Sequence, residues 1–105
     1  MLHKYIFQKR AYLQLRDICD YLDRKFGVRT TNDFLSEVEH SIDVLMKFPL
    51  SGHPELISKR QGYRSKIVGK RNKMYYYLRG NTLVIAAFVD MRMSPERIRK
   101  IVTDR

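Results

Sequence analysis

Residues 63–89 read YRSKIVGKRNKMYYYLRGNTLVIAAFV, and this stretch decides the fold. Three runs within it, Tyr63 to Val68, Lys73 to Arg79 and Thr82 to Val89, alternate apolar with polar residues or are almost wholly apolar, as strands are. Turn-forming residues separate them at Gly69 to Asn72 and at Gly80-Asn81. Links this short join antiparallel neighbours, because a parallel pair needs a crossover of a dozen or more residues. An antiparallel three-stranded unit is therefore expected.

Working outward toward the N-terminus, Pro49 to Pro54 is expected to be a loop, and the residues before it change period. Phe34, Leu35, Val38, Ile42, Leu45 and Met46 lie on one helical stripe that Pro49 ends. Leu15, Ile18, Leu22 and Phe26 mark an earlier helix that starts at Ala11 and closes on Gly27, with Thr30 or Thr31 as the expected cap of the second helix. Leu2 to Phe7 reads as an opening strand. Toward the C-terminus, Ser94-Pro95-Glu96 supplies a cap, a proline at the first helical position and a first-turn acid, so a short helix to about Val102 is expected. The pattern is β-α-α-β-β-β-α. It predicts an α+β fold, a small mainly antiparallel sheet with an N-terminal helical hairpin packed on one face.

The 105 residues are expected to form a single domain, 1–105. With 44% apolar and 30% charged residues the composition is globular, and no run approaches the roughly 18 apolar residues that span a bilayer. The first residues carry no apolar core followed by a small-residue cleavage site, so a cytoplasmic location is expected. Cys19 is the single cysteine and lies among apolar helix positions, which points to an inert buried thiol. His3, His40 and His53 have no partner at a metal-binding spacing, and His53 in its loop reads as solvated. No phosphate-binding glycine loop or nucleophile motif is present, and neither a metal nor another cofactor is expected.

Charge is uneven. Between His53 and Asn81 the chain carries Lys59, Arg60, Arg64, Lys66, Lys70, Arg71, Lys73 and Arg79 against Glu55 alone, a net +7 of the whole chain's +10. Strand alternation assigns Ile67, Met74, Tyr76, Leu78, Leu83, Ile85, Ala87 and Val89 to the hairpin side of the sheet. The opposite, open face then holds Arg64, Lys66, Lys73, Tyr75, Tyr77, Arg79, Phe88, Asp90 and, if extension persists, Arg92. Cations interleaved with aromatic rings can bind phosphates and stack on bases, which makes Lys59, Arg60, Lys70, Arg71, Lys73, Tyr75 and Arg79 candidates for nucleic-acid or target binding. The plainer alternative is a solvated basic face.

The segment from Leu83 through Asp90-Met91-Arg92 to Pro95 resembles the last strand and following residues of the RelE/ParE superfamily of type II toxin–antitoxin toxins. Ala11 and Leu15, the run Phe48-Pro49-Leu50-Ser51-Gly52, Gly62-Tyr63-Arg64 and the pattern from Met74 to Tyr77 are similar landmarks in the same order. The resemblance implies a toxin neutralised by a cognate antitoxin, whose target is DNA gyrase in ParE-like members and ribosome-bound mRNA in RelE-like ones. A RelE-like activity is metal-independent RNA cleavage, for which Arg64, Arg92 and Lys66 are the candidate cations and Tyr77 and Asp90 the candidate acid–base groups. RelE-type nucleases often place a tyrosine or histidine just after the last strand, where this chain has Asp90-Met91-Arg92-Met93. That departure and the two long helices favour the ParE-like member. The alternatives are a RelE-like endoribonuclease and, in another class, a non-toxic basic module that binds nucleic acid.

Overall fold

The computed structural model describes residues 2–59 and 61–103. Strand β1 (Lys4–Phe7) leads into helix α1 (Lys9–Phe26) and helix α2 (Val28–Lys47). Gly27 alone joins the two helices, at a φ of 97° that glycine adopts without a side-chain clash, and its N–H donates to the carbonyls of Leu22 and Asp23 at 3.1 Å. Because α2 starts at Val28, neither Thr30 nor Thr31 is its cap. Thr31 lies inside the helix and donates its hydroxyl to the Asp23 carboxylate, tying the two helices together.

Strand β2 (His53–Glu55) replaces part of the expected loop, followed by β3 (Tyr63–Val68), β4 (Asn72–Arg79), β5 (Thr82–Asp90) and helix α3 (Pro95–Thr103). The sheet order is β1-β5-β4-β3-β2, with β1 parallel to β5 and every other pair antiparallel. The expected α+β architecture is present, with one additional short edge strand. The sequence carried no sign of it, since three residues around Pro54 show no periodicity.

Both faces of the sheet are covered. On one, Ala11 of α1 and Phe34, Val38, Ile42 and Leu45 of α2 pack on Val68, Met74, Tyr76, Leu83, Ile85 and Phe88. On the other, Val102, with Ile98 and Ile101 beside it, brings α3 over Tyr63, Tyr75, Tyr77, Val84, Ala87 and Val89. The expected open, basic face is therefore corrected: its middle is an apolar and aromatic core.

The face assignments change with it. Between the pairs Tyr75↔Ala87 and Tyr76↔Ile85 the register shifts, leaving Ala86 without an opposite residue. A bulge of this kind reverses the alternation beyond it. Phe88 and Asp90 thus move to the hairpin side, while Ala87 and Val89 move to the α3 side. The Phe88 N–H donates to the side-chain oxygen of Gln14 on α1 at 2.8 Å.

On β3, Arg64 pairs with Tyr76 and Lys66 with Met74, which puts both cations on the hairpin side rather than opposite it. Val68 is the fully buried aliphatic residue of this strand, and Ile67, expected in the core, is 57% exposed.

Candidate functional site

The loop between α2 and β2 is fastened to the sheet by Tyr76. Its buried hydroxyl donates to the Pro49 carbonyl at 2.7 Å and accepts from the Gly52 N–H at 3.0 Å. Burial pushes the Tyr76 hydroxyl pKa up, against the opposing effects of the Gly52 N–H and the nearby Arg64. Arg64 adds a second fastening, donating from Nη1 to the carbonyls of Leu50 at 3.1 Å and Gly52 at 2.9 Å. Its guanidinium, a candidate for phosphate chemistry, is engaged in holding this loop.

Beside the loop, Glu55 of β2 accepts from the Ser65 hydroxyl at 2.6 Å and pairs with Lys73 of β4 at 3.2 Å. Lys73 is therefore neutralised. Tyr75, in the same part of the sheet, is pushed up to about 12, first by burial and then by the Glu55 charge. At 2% exposure it offers no ring for stacking. Tyr77 is also buried, its ring edge-on to Tyr63 with centroids 5.5 Å apart and its hydroxyl accepting from the Gln8 side-chain amide at 3.0 Å.

At the end of β5, Asp90 and Arg92 close on one another. The Asp90 carboxylate accepts from the Arg92 backbone N–H at 2.8 Å, from Nε at 3.0 Å and from Nη2 at 2.7 Å. These bonds from Arg92 hold the Asp90 carboxyl down at about 2, with Arg71 adding to the effect. Asp90 is thus an ionised partner of Arg92, poorly suited to donate or shuttle a proton near neutral pH.

The remaining candidates are scattered. Lys66 is half-buried at the hairpin side of β3, Lys70 and Arg71 are exposed in the β3–β4 turn, and Lys59 is exposed between β2 and β3. Arg60 lies outside the described residues. Arg79 is exposed at the far end of β4 from Arg71, about 26 Å away at ordinary strand rise. The cross-strand rows of Arg64 and Asp90 are four residues apart on β4, about 13 Å at the same rise, so Arg64 and Arg92 are held at separate places.

Sequence reasoning missed Tyr76, Gly52 and Gln8 as organising residues, since their partners lie far away in the chain. The run Phe48-Pro49-Leu50-Ser51-Gly52 is legible as a helix end, a loop and a family landmark, but not as a segment fastened to the sheet. Cys19 is half-buried, its thiol pushed up by burial and by Asp23 and Asp20. Among the described residues no three His, Cys, Asp or Glu side chains are grouped so as to hold a metal, and no helix is long and apolar enough to cross a membrane.

The helical hairpin over a sheet with one parallel edge strand matches a solved structure titled the chromosomal ParDE TA system from P. aeruginosa. The match has a TM-score of 0.70 at 14% identity and covers 88% of this chain and 98% of that one. This is a RelE/ParE-type fold. At that identity the likeness concerns the fold, which extends over most of both chains. Comparison with family models and with curated proteins finds no match.

Proposed function

We propose that this chain is the toxin of a type II toxin–antitoxin module, that a cognate antitoxin neutralises it in the cytoplasm, and that its target is DNA gyrase, as in ParE-like members. The observation that carries the proposal is the near end-to-end match of its fold to a chain of a ParDE system. The local chemistry favours a binding inhibitor over a nuclease. RNA cleavage by attack of the 2′-hydroxyl calls for an available base, an available acid and converging cations. Tyr77 is buried and accepts from Gln8, Asp90 is bound up with Arg92, and Arg64 is fastened to two carbonyls.

The test has two stages. Induced expression of the chain without an antitoxin is expected to arrest growth, and purified protein is expected to inhibit plasmid supercoiling by gyrase. Harmless expression of soluble protein overturns the toxin reading. Ribosome-dependent mRNA cleavage, mapped by primer extension, together with unaffected gyrase overturns the choice of target in favour of a RelE-like nuclease.

A further inference from the structure

Helix α1 runs alongside β5 and overshoots it. Arg10 donates to the Ala86 carbonyl, Gln14 accepts from the Phe88 N–H, and Tyr21 lies close to Arg92, just past the strand. Helix α2 returns over the β3–β4 turn, where the Glu37 carboxylate accepts from the Gly69 N–H and the Phe34 ring lies against Gly69. Gly27 joins the two helices about 10 Å beyond Phe34 at helical rise. The tip of the hairpin therefore projects past the end of the sheet, with Phe26 58% and Val28 64% exposed on either side of Gly27.

Residues 24–32 read RKFGVRTTN, with Arg24, Lys25 and Arg29 as cations and no carboxylate among them. Of the flanking acids, Asp23 accepts from the Thr31 hydroxyl and Asp33 lies about 9 Å back along α2. Tyr21 stands about as far back along α1, partly exposed, its ring edge-on to Phe26 with centroids 6.4 Å apart. The apex is thus apolar, its collar is cationic, and an aromatic ring with a polar hydroxyl lies behind it. Lys70 and Arg71, exposed in the β3–β4 turn, add positive charge at the same end of the molecule. Arg92 is matched by Asp90 and adds less.

We propose that this tip binds the surface of an anionic lipid bilayer, with Phe26 and Val28 entering the boundary between headgroups and acyl chains. Interfacial segments bury their apolar side about 5–10 Å deep, while cations stay with anionic headgroups and tyrosine rings settle at headgroup level. The tip has that layering: Phe26 and Val28 at the apex, then the cations, then Tyr21 about 9 Å behind. Lys70 and Arg71 lie about one Debye length further from the surface and add attraction. Such an association lies on the bilayer and needs no spanning helix. Shape selects against nucleic acid, because the ends of two packed helices are about 20 Å across, wider than the roughly 12 Å major groove, and convex where a single strand lies in a groove. Charge selects against a second copy of this chain, which brings another net +10. The inference is independent of the toxin proposal.

The chain contains no tryptophan, so Phe26→Trp is a specific reporter. With the full chain and vesicles of phosphatidylglycerol and phosphatidylethanolamine, its fluorescence is expected to shift to the blue and to be quenched by lipids brominated on their acyl chains. Phe48→Trp, similarly exposed at the far end of the hairpin, is expected to stay unshifted. Co-sedimentation of the parent chain is expected to be about tenfold or more stronger with these vesicles than with phosphatidylcholine alone, and to fall about fivefold for each charge removed in Lys25→Gln and Arg29→Gln. Phe26→Ser and Val28→Ser are each expected to weaken binding severalfold at unchanged urea stability, since both side chains are exposed. Equal binding to neutral and anionic vesicles, equal shifts of the two tryptophans, or unaltered affinity in Phe26→Ser overturns the proposal. So does the absence of any shift with vesicles, whether or not duplex DNA or gyrase produces one.

Discussion

Gly52 lies so close to Tyr76 that a Cβ at position 52 would stand 2.3 Å from the Tyr76 hydroxyl oxygen. The same approach lets the Gly52 N–H donate to that oxygen, so the absence of a side chain at one position and the hydrogen bond at the other are a single requirement. Gly52→Ala is expected to force the loop or the ring aside and destabilise the fold by about 1–3 kcal/mol. Tyr76→Phe leaves the Gly52 N–H and the Pro49 carbonyl without their partner, at about 1–3 kcal/mol. Urea denaturation of the single and double variants checks both values. The effects are expected to be less than additive, because both substitutions break one contact.

Arg64 serves the same loop through two carbonyls. Arg64→Ala is therefore expected to lower stability by about 1–2 kcal/mol and to speed amide exchange in residues 49–52. An arginine whose sole role was to contact a target would leave both measurements unchanged, so unaltered stability and exchange would refute this assignment.

Asp90 gives a prediction at the acid end. Its carboxyl is held at about 2 in the folded chain by the hydrogen bonds from Arg92, below the value of about 3.9 for an unperturbed aspartate. A lowered folded-state pKa contributes stability above the unfolded value and loses it as pH falls through the folded one. Stability measured between about pH 4 and pH 2 is thus expected to fall less steeply in Asp90→Asn than in the parent chain. Identical slopes would mean that the pair does not persist in solution.

Tyr75 acts at the alkaline end. Its pKa of about 12 in the folded state exceeds the ordinary value of about 10, so the unfolded chain ionises first as pH rises. The Tyr75 contribution is complete below about pH 10 and is lost as pH climbs toward 12. An ultraviolet titration of the tyrosines is expected to show a late step that Tyr75→Phe removes.

Helix α3 is tied down near its C-terminus by Arg10 of α1, whose Nη2 donates to the Val102 carbonyl at 2.9 Å. Arg10→Met retains much of the aliphatic stem and loses this bond. Amide exchange within α3 is expected to quicken about tenfold, and that within β4 to change little. Equal quickening in both elements would mean that α3 opens only when the whole fold does.

Element positions were legible in the sequence because their signals are local. Tyr63 to Val68 was bounded by Gly62 and Gly69, and Ser94-Pro95 announced α3. The candidate site was far less legible. Eight cations along one segment suggested a single basic face, yet Arg64 fastens a loop, Lys73 pairs with Glu55, Arg79 lies at the other end of its strand, and Tyr75 and Tyr77 are under α3. Apart from the position of Arg79, each of those placements depends on a partner far along the chain, about which composition and spacing carry no information.

The order and kind of the elements, the antiparallel central strands, the helical hairpin and the excess of positive charge can all be read from the residues in order. Those follow from periodicity, turn residues and counting. Which face each strand residue takes is settled by packing, because the bulge at Ala86 reverses an alternation that period alone would continue to the end of β5. Long-range contacts likewise place α3 over the tyrosine face and let Tyr76 and Arg64 draw residues 49–52 away from the sheet. That displacement leaves half of the β3 edge open, a consequence of long-range hydrogen bonding that no local stretch of the chain contains.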